Sequence, residues 1–306
     1  MPEYAFFKGD IVPIEEAKIS IMTHGFNYGT GCFEGIRAYW NEQEDQLYVF
    51  RMHEHYERMH RSARILRIEL PYSIEELVEY TLRLLRMEGY KEDVYIRPLA
   101  YKSSEVIGVR LHDLEDDVAI FATPFGRYIE NEEGAHVCVS SWRRVSDNAT
   151  PARAKITGAY INSALSKTDA VLAGYDEALV LCESGHISEG SAENLFLVRD
   201  GILITPDVTS NILEGITRDT IMTLAREEMG LQTDQRLIDR SELYVCDEAF
   251  LTGTGVQVAA ITHIEHRPVG SGSIGPVVTR LRELYFDAVR CKGPKYQHWC
   301  TPVYAG

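Results

Sequence analysis

The chain has 306 residues, 45% of them hydrophobic and 25% charged, and a formal net charge of −15. That is long enough for two domains and apolar enough for a large core, which excludes a disordered chain. The acidic balance excludes nucleic acid and anionic membrane as expected partners, because both need a basic surface.

Six cysteines, Cys32, Cys138, Cys182, Cys246, Cys291 and Cys300, are scattered with no Cys-x-x-Cys pair. They read as reduced thiols of a cytoplasmic protein, not as a disulfide frame or zinc site. The first residues, MPEYAFFKGD, lack the basic start and apolar stretch of a signal peptide. No run of about 18 apolar residues is present, so no membrane span is expected.

In chain order, YAFF (4–7), CFEGIRAYW (32–40) and QLYVFR (46–51) read as strands. From His53 to Ile68 the apolar Tyr56, Met59, Ala63 and Leu66 recur at helical spacing. Ser73-Ile74-Glu75-Glu76 is a capping box that opens a helix to Met87, with Gly89 just past its end. DVYIRPLAY (93–101) and DVAIFATP (117–124) read as strands, and the polar GRYIENEEG (126–134) as a linker between domains. Beyond it, HVCVSSW (136–142), EALVLC (177–182) and NLFLV (194–198) read as strands. Helices are expected over 158–173, 217–229 and 275–289, with Gly230 closing the second of these. The last residues, PKYQHWCTPVYAG, read as irregular.

Lysine is scarce, with eight against twenty-three arginines, and only Lys155 and Lys167 lie between residues 103 and 291. Lys167 falls within a predicted helix and reads as solvated. Lys155 follows a Pro-ended loop and precedes a helix, a placement that suits the mouth of a pocket. By itself it reads as an ordinary surface lysine. Glu193 stands where the Gly/Ser-rich SEGSA runs into an apolar strand. A buried carboxylate there needs a partner, and a pyridinium nitrogen is one candidate; a turn cap is the plainer alternative. Gly215-Ile216-Thr217 opens a predicted helix whose free N–H groups attract anions, and Gly253-Thr254-Gly255 can form a backbone nest. Tyr95 and Arg97, two apart in a strand, share a face and could bind a carboxylate or form a surface ion pair. Gly29-Thr-Gly31-Cys-Phe-Glu-Gly35 misses the dinucleotide fingerprint by one position. His53 and His55 point apart on a helix and make a poor metal pair, so no metal is expected.

These segments together resemble the class IV (fold-type IV) pyridoxal-phosphate aminotransferases, and within them the bacterial branched-chain amino-acid aminotransferases. The strongest part runs from EGSAENLF (189–196) through LIT (203–205) to LEGITR (213–218). HGFNYGTGCFEGIR (24–37), EHYERM (54–59), YIRP (95–98) and SSW (140–142) add to it. The resemblance implies a two-domain α/β (α+β) fold. A small N-terminal α/β domain would cover 1–124, an interdomain loop 125–134, and a larger pseudo-barrel domain 135–306. It implies pyridoxal 5′-phosphate as cofactor and Lys155 as the lysine that binds it as an imine. Arg58 would hold the phosphate, with the backbone of Ile216, Thr217 and Thr254 completing the cup. Tyr160 would meet the phenolic oxygen and Glu193 the pyridine nitrogen.

For the substrate, the resemblance implies that Tyr28, Phe33 and Tyr128 line the side-chain site. Tyr95 and the Thr254-Gly255 turn would meet the α-carboxylate, and Arg97 the distal carboxylate of glutamate. The expected reaction moves the amino group of L-leucine, L-isoleucine or L-valine to 2-oxoglutarate by a ping-pong route. Homodimers, or larger assemblies of dimers, are implied as well. Two departures bear on the substrate range. Phe125 stands where relatives often carry tryptophan, and Gly255 replaces the alanine of the usual turn, which frees the backbone there. Both point to a broader range that takes in aromatic amino acids or (R)-amines. D-amino-acid aminotransferase and aminodeoxychorismate lyase are the alternatives on the same fold.

Overall fold

Strand alternation is clearest at Val94–Lys102, where Val94, Ile96, Pro98, Ala100 and Lys102 are buried and the intervening residues are half-buried. In the computed structural model, which describes residues 2–126 and 134–304, this strand lies inside an eight-stranded sheet. It pairs antiparallel with Asp116–Pro124 along its whole length. Its other edge meets two strands, Gly31–Phe33 and Ile36–Asn41, in place of the single strand expected over 32–40.

The interruption at Glu34-Gly35 has a cause in Pro98. Proline has no N–H to give to a neighbour. Pro98 sits opposite the gap, where its carbonyl accepts from the Glu34 N–H at 2.9 Å. Glu34 therefore leaves the regular ladder, and its side chain turns into the interior.

The helix Ile74–Glu88 begins on the expected capping box. Ser73 Oγ accepts from the Glu76 N–H at 3.2 Å, and Glu76 accepts from the Ser73 N–H at 2.8 Å. Gly89 ends it in the left-handed conformation at φ 67°. The helix lies against the strand Tyr4–Phe7, with Phe6 stacked on Tyr80 at 4.3 Å between ring centroids. The neighbouring helix Met52–Ile65 buries Tyr56, Met59 and Ala63, as the spacing predicts.

These elements form the first of two units, residues 1–126, 154–158 and 287–306. The second holds 127–153 and 159–286. The expected division placed all of 135–306 in the C-terminal domain, and two segments depart from it. The tail read as irregular contains the strand Cys300–Pro302, which pairs antiparallel with Phe50, Val49 and Tyr48 of the first sheet. Residues 154–158 extend that sheet too, because Ile156 bridges Cys32 and the Phe33 N–H donates to the Lys155 carbonyl at 3.0 Å.

The second unit is built on a nine-stranded mixed sheet that forms a half-barrel. Ala135–Arg143 runs parallel to both Glu177–Leu181 and Gln257–Ile264, and Asn194–Arg199 pairs antiparallel with Ile202–Pro206 and Glu248–Gly253. Val137, Leu179, Leu195, Leu197, Leu251 and Ile261 form part of its core. The helix Tyr160–Leu172 packs on Ala135–Arg143, and Ile216–Met229 ends at left-handed Gly230. Short elements without a readable period were not expected from sequence. They include the helix His24–Tyr28 and the strands Ile187–Gly190 and Thr233–Arg236. Among the described residues, no helix is long and apolar enough to cross a membrane.

Candidate active site

In the first unit, the break at Glu34 builds a buried ion cluster. Arg58 Nε and Nη2 donate to the two Glu34 carboxylate oxygens at 2.8 and 2.7 Å. His55 Nδ1 lies 2.8 Å from the same carboxylate. All three side chains are buried. Burial alone would raise the Glu34 carboxyl, but the charge and hydrogen bonds of Arg58, helped by His55, overcome it and hold the group at about 2. Burial pushes His55 down, which keeps it a neutral donor. The cluster locks Arg58, a forked donor suited to phosphate. Sequence reading found Arg58 through the resemblance but missed Glu34, and it treated His55 only as a poor metal ligand. A proline in a central strand was the available signal, since it predicts an interrupted neighbour.

Lys155 is anchored on the same helix as Arg58, with its backbone N–H donating to Ser62 Oγ at 3.2 Å. Its Nζ lies 5.0 Å from the centre of the Phe33 ring. The Arg97 guanidinium covers that ring too, at 4.3 Å. Arg97 Nε and Nη2 donate to the Tyr95 hydroxyl at 3.2 and 2.7 Å. The expected shared face of Tyr95 and Arg97 is thus observed. The Phe125 ring stands 5.2 Å from Tyr95 at 45°. Arg37 fixes its backbone by donating to the Phe125 and Gly126 carbonyls, both at 2.8 Å. Gly35 lies so close beneath the Tyr95 hydroxyl that an added Cβ would collide with it. Tyr28 lies apart from these rings, and its hydroxyl accepts from the Gly108 N–H at 3.0 Å. Tyr128 lies outside the described residues.

In the second unit, Glu193 is buried, and its carboxylate accepts from the Ala192 N–H at 3.0 Å. Burial, reinforced by the nearby charge of Glu177, pushes its carboxyl up to about 8. Such a group calls for a cation or a strong donor beside it. Lys167 does not read as the sequence suggested. It is part-buried and donates to Glu177 at 2.7 Å and to the Asp176 carbonyl at 2.5 Å.

The loop leading to the helix Ile216–Met229 is strapped to the strand that carries Glu193. Asn194 Nδ2 donates to the Leu213 carbonyl and to Glu189, both at 2.9 Å. Glu189 also accepts from the Leu213 N–H at 3.2 Å and from Arg144 at 2.5 Å. Gly215 permits this, because an added Cβ would run into the Asn194 amide oxygen. Gly215 at the N-cap brings no side chain of its own to the helix that begins at Ile216 and Thr217. The positive end of the helix dipole there favours an anion. Thr254 and Gly255 follow the strand Glu248–Gly253, whose Thr252 pairs with Asn194. Tyr160 opens its own helix and is half-buried.

The expected residues thus fall into two groups, one in each unit. Comparison with known proteins names the family. The family described as Amino-transferase class IV matches residues 31–264. The chain belongs to the class IV aminotransferases. It is therefore a transaminase that works with pyridoxal 5′-phosphate. It is 52% identical over 302 residues to the probable branched-chain-amino-acid aminotransferase of Aquifex aeolicus, covering 99% of this chain and 97% of that one. The branched-chain aminotransferase of Thermoproteus uzoniensis, solved with norvaline, superposes with a TM-score of 0.95 at 43% identity, covering 99% of this chain and all of its own (100%). The branched-chain amino acid aminotransferase of Thermobaculum terrenum, solved in its PLP form, also gives a TM-score of 0.95, at 38% identity, with 99% of each chain covered.

Proposed function

We propose that this aminotransferase moves the amino group of L-leucine, L-isoleucine or L-valine to 2-oxoglutarate. The observation that carries the substrate reading is Arg97 laid on Phe33 and held by Tyr95. The aromatic walls suit a branched apolar side chain. The guanidinium keeps a further edge for the distal carboxylate of the acceptor. The names of the relatives support the same reading.

The chain's residues fit the family's cofactor. Glu193, buried and raised to about 8, suits a protonated ring nitrogen. The helix start at Ile216 and Thr217 and the forked donors of Arg58 are each suited to a phosphate. Thr254 would add a backbone donor, and Tyr160 would meet the phenolic oxygen. The bound cofactor supplies an electron sink for the pair left when the substrate loses its Cα proton. Lys155 would attach the cofactor, and its amine would take the substrate's Cα proton. Moving a proton this way accounts for about 10²–10⁴-fold in rate. Arg58 would meet the phosphate and Glu193 the ring nitrogen, and Tyr95 and the Thr254-Gly255 turn would each offer donors to the α-carboxylate.

A half-reaction screen tests the assignment: the bound cofactor's absorbance is followed as each amino donor is added. Leucine, isoleucine and valine should discharge it, and 2-oxoglutarate should restore it. A response to D-alanine alone, or release of pyruvate from aminodeoxychorismate, would replace the reading with another activity of the same fold. Lys155→Ala should lose about 10⁴-fold or more in turnover. Borohydride should fix the cofactor mass to the wild type and not to this variant.

Phe125 favours a wider donor range, since its ring is smaller than an indole and lacks the indole's polar N–H. Aromatic amino acids and (R)-amines should then be turned over as well. A panel confined to leucine, isoleucine and valine would sink this extension.

The protein is further proposed to be a cytoplasmic homodimer. Ile21, Phe26, Ile107 and Val109 of the first unit are exposed, as are Ile161, Leu165 and Leu172 on the helix Tyr160–Leu172. Apolar surface of this kind marks an association face. Light scattering should give twice the chain mass, falling toward the monomer in Ile161→Asp/Leu172→Asp.

A further inference from the structure

The helix Pro276–Val289 is followed by Cys291 in the left-handed region, at φ 58°. Its backbone N–H turns back to the Ala288 carbonyl at 3.1 Å. The chain then loops out and returns through the turn Gln297–Trp299, which is held by Trp299 stacking on Tyr296 and by Arg51 lying over the indole. The strand that follows sets Cys300 opposite Phe50. This pairing brings the Cys300 thiol to the same Ala288 carbonyl, at 3.3 Å. Cys291 and Cys300, nine residues apart in sequence, thus meet at one carbonyl, one through its backbone N–H and the other through its thiol, close enough for each thiol to influence the other's ionisation. Both side chains are half-buried. By contrast, Cys32, Cys182 and Cys246 are buried.

We propose that Cys291 and Cys300 are a disulfide-forming pair that staples the terminal strand to the end of the preceding helix. The oxidant is a low-molecular-weight disulfide. The thiolate of Cys291, the less buried of the two, attacks one of its sulfurs, its S–S bond breaks, and one small thiol leaves. Cys300 gives its proton to water and attacks the mixed disulfide, forming the Cys291–Cys300 bond and releasing the second small thiol. One S–S bond is made and one broken, so two protein thiols are oxidised while one reagent disulfide is reduced to two thiols. Burial raises both thiols above the ordinary cysteine value, so exchange quickens as pH rises.

The test uses the folded full chain, incubated with oxidised glutathione, alkylated in denaturant and weighed. The expected result is two fewer alkyl groups than in the reduced control, on a chain that has lost about 2 Da, the two thiol hydrogens. Trypsin should then release Cys291-Lys292 joined to the peptide that begins at Tyr296. Cys291→Ser and Cys300→Ser should each keep a stable glutathione adduct on the remaining thiol and lose no mass. The oxidised wild type should melt a few degrees above its reduced form, roughly what closing a short loop gives, with no such gain in either serine variant. Adducts on both thiols without mass loss, or a cross-link joining either cysteine elsewhere, would overturn the pairing. An unchanged or lowered melting temperature in the cross-linked protein would overturn the stapling role.

Discussion

Two buried carboxylates stand in opposite conditions. Glu34, in the first unit, meets Arg58 twice and His55 once and is held at about 2. Glu193, in the second, meets the Ala192 N–H and feels the repulsion of Glu177, and it is raised to about 8. A carboxylate whose needs the fold satisfies serves the fold. One that the fold leaves costly serves whatever will complete it. For Glu193 the partner proposed above is the cofactor's ring nitrogen.

The sharpest way to break this comparison is to neutralise each in turn. Glu34→Gln leaves Arg58 buried without its counter-charge. It should cost about 3–5 kcal/mol of unfolding free energy, measured by denaturant titration of the cofactor-free protein. Glu193→Gln replaces a carboxyl that the cofactor-free fold already holds protonated near neutral pH. Its unfolding free energy should stay level or rise, while kcat falls about 10²–10³-fold. If the two variants lost stability equally, Glu193 would be a structural residue like Glu34.

Arg97 extends the comparison to the substrate. Arg97→Ala should lose about 1–3 kcal/mol of transition-state binding with 2-oxoglutarate, from the missing charged hydrogen bonds, and much less with branched 2-oxo acids. Equal losses with both would make Arg97 a mere prop for Phe33 and Tyr95.

The sequence made part of this visible. Tyr95 and Arg97 were legible because strand alternation is a local rule, and so was the capping box at Ser73. Lys155 was not: its neighbours look like those of any loop lysine, and only the resemblance singled it out. Glu34 was hidden by its own surroundings, since an apolar run containing one Glu-Gly reads as a continuous strand. Its break is decided by Pro98, more than sixty residues away. The terminal strand was hidden for the same reason, as its partner Gln46–Phe50 lies at the other end of the chain. Lys167 failed for a different reason. Helical spacing says which side of the helix it occupies, not that Glu177 begins a strand beside it.

The smallest expected effect is in the pH dependence of the cofactor-free protein, where the two carboxylates pull in opposite directions. Glu34 is depressed below its ordinary 4.5, so its stabilisation is full above that value and lost as pH falls toward 2. Glu193 is raised, so the folded chain holds a proton between about 4.5 and 8 that the unfolded chain has released. Stability from this group is full below 4.5 and drains away as pH rises through about 8. The cofactor-free wild type should therefore melt lower at pH 9 than at pH 6, and Glu193→Gln should show less of this decline. Loading the cofactor should flatten the wild-type curve, because a ring nitrogen that shares its proton with Glu193 stabilises the ionised carboxylate. A curve equally steep with and without cofactor would mean that Glu193 does not face the ring, and the contrast with Glu34 would lose its functional meaning.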